Sequence, residues 1–245
     1  MLICILLSGR IKSYKYFEVL MNHIKHLHTV HLFISVNDEL NEDNKLFYDE
    51  FKEKFKEFIK ILKINKYSLP DNFINRNNDT ISAGKLINTL SCFYNDKMAF
   101  LESEKYSNMH SIDYDVYLRF RTDIIVNSLP DFNNFNKNIL YCVKTVNNFN
   151  LAITDNPNGE YKNDRRHCYG NILHHGKYVT GDIAFGSKSQ MKIYCNCYEY
   201  ILEQNIKNNF NYFICFEYNL TCYLHDINVD WCFFNYDYNY HLNRN

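Results

Sequence analysis

Glycine and proline are scarce, with 7 and 3 residues in a chain of 245. That scarcity excludes a collagen-like chain and a Pro/Gly-rich disordered one. A basic surplus is also missing: 27 Lys and Arg stand against 28 Asp and Glu, for a formal net charge of -1. A general nucleic-acid binder is thereby disfavoured, because phosphate neutralisation drives that binding. No stretch approaches the ~18 apolar residues of a membrane span. The apolar run from Met1 to Leu7 is too short for a signal peptide and lacks a basic start. The sequence therefore predicts a cytoplasmic protein with no membrane span and no nucleic-acid partner. Nine cysteines, an odd number without a repeated spacing, do not form a secreted disulfide framework. Cys195 and Cys197 make a C-x-C, and Cys168 lies near His167, His174 and His175, a looser grouping than zinc sites use. The plainer expectation is reduced, mostly buried thiols. Asn78-Asp79-Thr80 and Asn219-Leu220-Thr221 match the glycosylation sequon, as chance allows in an asparagine-rich chain.

What is present suits a single globular domain: 46% hydrophobic and 22% charged residues. The first two-fifths alternates strand-like and helix-like segments. Leu2 to Leu7 and Val30 to Val36 are apolar runs closed by Ser8-Gly9-Arg10 and Asn37-Asp38. Ser13 to Leu27 reads as a helix. Phe51, Phe55, Phe58, Ile59 and Leu62 fall on one face of a helix predicted over Asn44 to Leu62. Ile64 to Leu69 is expected as a third strand, ended by Pro70. A helix is predicted from Ser82 to Tyr106, with Leu86, Leu90, Phe93 and Phe100 on one side, and a fourth strand over Asp115 to Phe120. This rhythm predicts an α/β fold with a mostly parallel central sheet and helices on both faces. Ligands of such sheets sit beyond the carboxyl ends of the strands, so Ser8–Arg10, Asn37–Asp38 and Arg121–Asp123 should converge on one cleft. Further on, Ile139 to Val143 and Leu151 to Thr154 read as short strands, and Ser187 to Gln204 as a helix opened by a serine cap. The layout suggests a nucleotide-binding half over residues 1–126 and an acceptor-binding half over 127–245, fused in one domain.

The stretch Tyr114-Asp115-Val116-Tyr117-Leu118-Arg119-Phe120-Arg121-Thr122-Asp123 carries the most chemistry. Side chains alternate along a strand. Val116, Leu118 and Phe120 share one face; Arg119, Arg121 and Asp123 share the other. Charges on a buried strand are costly unless paired. A nucleoside diphosphate would pair them: guanidinium forks match phosphate oxygens, and Asp123 would hold a divalent cation, Mn2+ or Mg2+, bridging the phosphates. An internal Arg–Asp pair bracing the sheet is the structural alternative. The literal D-x-D, Asp113-Tyr114-Asp115, precedes the strand and belongs to the amino end of the sheet. Ser8, Gly9 and Arg10 are candidates to cradle the nucleotide, although Gly9 equally suits a plain turn. Asn37 is a candidate for the base or ribose, and Arg76 and Lys85 for the diphosphate. Ala83-Gly84-Lys85 lacks the rest of a phosphate-binding P-loop.

The 112–123 segment after its long helix resembles the GT-A glycosyltransferases of large DNA viruses and bacterial polysaccharide clusters, which share a "YD…R-x-R-x-D" strand. Thr180-Gly181-Asp182-Ile183-Ala184-Phe185-Gly186-Ser187, followed by Met191 and Tyr194, resembles their "D-x-x-A-x-G-S…M…Y" segment. The resemblance implies a GT-A-like, Rossmann-like fold, a nucleoside-diphosphate-sugar donor, and a glycan, glycoprotein or other hydroxyl acceptor. It also implies that Asp182 faces the acceptor, where a carboxylate would serve an inverting transfer as general base. The chain departs from the family in placing Arg121 where the first Asp of D-x-D stands. Late residues of the family ligate metal or diphosphate, which draws attention to His241 and Arg244. Two alternatives stand beside a hexosyl- or deoxyhexosyltransferase: a sugar-phosphate nucleotidyltransferase, and a domain that binds nucleotide sugar without transferring it.

Overall fold

A computed structural model describes residues 1–9, 11, 14–37, 42–73, 80–122, 124–126, 132–144, 179–207, 216–233 and 238–239. The chain starts in the middle of its sheet. Strand β1 (Leu2–Ser8) pairs in parallel with β2 (Thr29–Asn37) on one side and with β4 (Val116–Arg121) on the other, and β3 (Ile59–Asn65) continues outward from β2. Helices α1 (Tyr14–Ile24) and α2 (Glu42–Phe55) connect the outward steps. Helix α3 (Thr80–His110) connects the return from β3 to β4. Parallel crossovers are right-handed, so reversing the direction of travel moves the connecting helix to the opposite face. The two cores show this. Tyr14, Phe17, Phe51 and Phe55 of α1 and α2 pack against Ile3, Ile5 and Leu7, whereas Leu90, Phe93 and Phe100 of α3 pack against Cys4 and Leu6.

The second half of the chain completes the same sheet. Strand β7 (Val179–Gly186) runs antiparallel to β4, β6 (Leu140–Lys144) runs antiparallel to β7, and β8 (Trp231–Phe233) lies parallel to β6. Among the described residues the sheet has seven strands in the order β3-β2-β1-β4-β7-β6-β8, with β7 alone reversed. Helices α4 (Lys188–Cys195), α5 (Cys197–Ile206) and α6 (Phe216–Asp226) join the core on the α3 face. A separate ribbon pairs β5 (Ile125–Val126) with β9 (Tyr238–Asn239). The protein is thus an α/β domain with a mostly parallel sheet between helices. Among the described residues, no helix is long and apolar enough to cross a membrane.

Three expectations need correction. The helix predicted over Asn44–Leu62 ends at Phe55, and Ile59–Asn65 forms β3, so the third strand starts before Ile64 and stops short of Leu69. Phe58 N–H turns back to the Phe55 carbonyl, and Leu32 N–H then binds the Phe58 carbonyl at 2.8 Å. The open edge of β2 needs hydrogen-bond partners, and that demand overrides the helical period. The helix predicted over Ser187–Gln204 is broken at Asn196, whose N–H is shared between the Lys192 and Ile193 carbonyls; such sharing is common at helix ends. Ser187 occupies the cap position, but its hydroxyl makes no cap bond and donates instead to the Lys137 carbonyl at 2.7 Å. The strand expected at Leu151–Thr154 lies outside the described residues.

Candidate functional site

The chain lays β2 and β3 to one side of β1, then crosses to place β4 on the other. The strand order therefore reverses between β1 and β4, the boundary at which ligands bind in sheets of this kind. The chain leaving β4 turns to the face of α1, where Ile124 joins the core that α1 and α2 cover and β5 contacts α1. Ser8 pairs with Arg121 across that boundary. Gly9 follows with φ +111, in the region that disfavours side chains. A Cβ built there would stand 4.0 Å from Thr122 Oγ1, an ordinary contact. Backbone conformation and not crowding calls for glycine, and the turns after β1 and β4 lie side by side.

Under this boundary sits a buried charge. Arg119 is 2% exposed, and its Nε donates to Asp96 Oδ1 of α3 at 3.0 Å. Ser8 Oγ donates to the same oxygen at 2.5 Å and accepts from Arg119 Nη2 at 3.2 Å. Phe216 lies over the guanidinium at 5.7 Å and is itself stacked on Phe93. Burial alone would pull the Arg119 pKa down; the facing Asp96 carboxylate and Tyr194 beside it together outweigh this, and the net direction is upward. The guanidinium stays charged. Tyr194, fully buried beside the pair, has its phenol pKa pushed well up by burial, so it stays neutral. The internal Arg–Asp pair, held open on the sequence, is the geometry that Arg119 adopts.

A second polar network lies beside the first. Asn95 of α3 is buried, and its Nδ2 donates to Asn37 Oδ1 at 2.6 Å and to the Ser91 carbonyl. Its Oδ1 accepts from Ser35 Oγ at 2.9 Å and from Asn65 Nδ2 at 2.8 Å. Asn37 Nδ2 donates to Ser91 Oγ. The Asn37 amide thus ties the end of β2 to α3, and Asn65 ties the end of β3 to both.

Of the residues singled out on the sequence, Ser8, Gly9, Asn37, Arg119 and Arg121 come together at the carboxyl ends of adjacent strands. The β4–β7 register ends with Phe120 opposite Ile183, so Arg121 and Asp182 are the next residues along the two strands. Lys85 lies on α3 with its side chain outside the described set. Arg10, Asp38, Arg76, Asp123, His167, Cys168, His174, His175, His241 and Arg244 lie outside the described residues. The chain matches no protein-family model and none of the curated proteins.

Among the described residues no group of three His, Cys, Asp or Glu is placed to hold a metal ion. Asp96, the carboxylate brought to the boundary, is already committed to Arg119 and Ser8. The D-x-D at Asp113–Asp115 lies at the amino end, where Asp115 Oδ2 accepts from Leu2 N–H at 2.8 Å. The described cysteines are free, and burial raises the thiol pKa of Cys4, Cys195 and Cys197 well above normal, leaving them protonated. Sequence reasoning missed Asp96 and Asn95. Asp96 lies three residues after Phe93 and four before Phe100, so a carboxylate on the apolar stripe of α3 was the available signal.

Proposed function

We infer that this chain is a glycosyltransferase of the GT-A kind, taking a sugar from a nucleoside-diphosphate donor to a hydroxyl acceptor on a glycan or glycoprotein. The observation that carries the reading is the juxtaposition of the Ser8–Gly9 turn with the Arg121–Thr122 turn at the boundary between β1 and β4. Small residues there let backbone approach a diphosphate, and Arg121, partly exposed at the end of β4, is proposed to add a cation. Arg10, Arg76 and Lys85 are proposed to add charge to the same diphosphate, and Asn37 to face the base or ribose. A divalent cation, Mn2+ or Mg2+, would be held by Asp123 and would neutralise the phosphates. Asp182, the residue of β7 before the one that faces Phe120, is proposed as the base that takes the acceptor hydroxyl proton as the sugar carbon is attacked, giving inversion. The cytoplasm, that of the host if the chain is viral, is the proposed place of action.

A second reading has its own observation. Arg119 is withdrawn into the fold by Asp96, so one of the two arginines that suggested the donor site is engaged internally. A domain that binds a nucleotide sugar without transferring it fits that arrangement. Calorimetric titration with uridine and guanosine diphosphates and their sugars, with and without manganese, tests both readings for binding. Arg121→Ala is expected to weaken diphosphate affinity at least tenfold. Asp182→Asn then separates the readings: a transferase should keep its donor affinity and lose about 10²–10⁴ in turnover. A wild-type chain that binds donor but neither transfers nor hydrolyses it is the binding domain. A chain that binds no nucleotide is neither.

A further inference from the structure

The Ser8 hydroxyl has one proton, and the structure commits it inward. It donates to Asp96 Oδ1, and Arg119 donates to both the hydroxyl and that same Oδ1. Side chains from β1, α3 and β4 thus close on one oxygen, with Ser8, Asp96 and Arg119 all buried. A pair serving only to brace the core would be expected in the bidentate form, which uses both carboxylate oxygens and is the stronger arrangement. This pair is different: Asp96 Oδ2 and Arg119 Nη1 have no hydrogen-bond partner among the described residues. The bonds converge instead on the oxygen that reaches Ser8. Ser8 is the last residue of β1, and the next residue is Gly9, whose positive φ sets the turn.

We propose that Asp96 is a positioning residue for the diphosphate site: through Ser8 and Arg119 it fixes the end of β1, so that the Gly9 turn presents its backbone to the phosphates while the Ser8 hydroxyl never touches them. The proposal rests on the reading of the boundary between β1 and β4 as a diphosphate site and assigns Ser8 a different task within it. With no residue between the anchor at Ser8 and the turn at Gly9, a displacement of Ser8 passes to Gly9 with little attenuation. Misplacement of a positioned group by about 1 Å can cost on the order of 10²-fold in function.

Three variants of the full chain test this: Ser8→Ala, the charge-free pair Asp96→Leu with Arg119→Met, and all three changes together. The pair is changed jointly so that no unpartnered charge remains in the core. Inorganic pyrophosphate and uridine diphosphate, each with manganese, are the probes. Ser8→Ala and the Asp96→Leu/Arg119→Met variant should each lose about tenfold in pyrophosphate affinity, and combining them should cost no more than the larger single loss, as for changes acting through one link. Wild-type affinity in the Asp96→Leu/Arg119→Met variant overturns the proposal. Fully additive losses also overturn it, because they would place the Ser8 hydroxyl on the ligand itself.

Amide hydrogen exchange at Ser8, the ladder residue that ends β1, reads the anchor without any ligand. Exchange at least about tenfold faster in Ser8→Ala, beyond any increase shared by the amides in the middle of β1 and β2, is the expected sign of a released turn. Unchanged exchange sinks the anchoring whatever the ligand does. Failure of the wild-type chain to bind either probe, with faster exchange in the variant, would condemn the diphosphate reading and leave the anchoring of the turn in place.

Discussion

The two faces of the sheet are built from the same strands and differ in kind. On the α1/α2 face, Ile3, Ile5, Leu7, Val116, Leu118 and Phe120 meet a cluster of rings from Tyr14, Phe17, Phe51 and Phe55, with centroids 4.9 to 6.4 Å apart. On the α3 face, polarity rises toward the carboxyl edge: Cys4, Leu6, Ser8 along β1; Phe33, Ser35, Asn37 along β2; Tyr117, Arg119, Arg121 along β4. Helix α3 answers with Ser91, Asn95 and Asp96 at that edge and with Phe100 farther down. The first face is satisfied by any apolar side chains of suitable shape. The second depends on particular partners, because a buried polar group left alone costs about 1–3 kcal/mol. A gradient of this sort marks the end of the sheet at which a ligand is expected.

The contrast is sharpest for charge. Arg119→Leu should cost about 3–5 kcal/mol by leaving Asp96 buried without its counter-charge, whereas Ile5→Val on the other face should cost about 0.5–1.5 kcal/mol. Urea denaturation of both variants measures the difference, and equal losses would erase the distinction between the faces. Asn95→Leu comes next. It strips partners from Asn37, Asn65 and Ser35 together, and each group left unsatisfied and buried adds about 1–3 kcal/mol. A loss no larger than that of an exposed substitution would mean that water replaces the amide. Gly9→Ala should cost upwards of about 1 kcal/mol, because alanine resists a positive φ; an unchanged melting temperature would show that the turn relaxes.

A further effect concerns pH and the amino end of the α3 face. His31 Nδ1 is 2.8 Å from Tyr114 Oη, and burial, with Lys60 adding to it, pulls the imidazole pKa down to about 4. The unfolded chain takes up that proton near pH 6.5 and the folded chain does not. The group is therefore neutral to stability above that pH, and stability falls as pH drops from about 6.5 toward about 4. Melting curves at about pH 7.5 and about pH 5 should differ more for the wild-type chain than for His31→Gln. Equal shifts would assign the effect to other groups.

How much of this could be read in advance depended on the face. The strands β1, β2 and β4 announce themselves as apolar runs because the α1/α2 face leaves every second residue no choice. The joining of Ser8 to Arg121 followed from that rhythm and the rule for parallel sheets. The boundary between α2 and β3 did not, because Phe58, Ile59 and Leu62 satisfy a helical period as well as a strand, and no glycine or proline punctuates residues 55–59. Asp96 was hidden for another reason. Its partner lies 23 residues away on a different element, and a hydrogen-bonded pair leaves no local trace beyond a charge on an apolar stripe.

The central position of β1 also has a consequence in time. Its pairing with β2 joins Leu2 to Thr29, which a single helix brings together, whereas its pairing with β4 must wait for residues on the far side of β3 and α3. The added closure entropy is only about 1 kcal/mol, since it grows with the logarithm of loop length, but long-range pairings slow folding out of proportion to that cost. A chain that has joined β1, β2 and β3 already has a sheet, yet the turn after β1 still lacks its neighbour after β4. The seam between β1 and β4 is what sets the Ser8–Gly9 and Arg121–Thr122 turns side by side, so a molecule bound across it would draw the folding equilibrium toward forms in which that seam has closed.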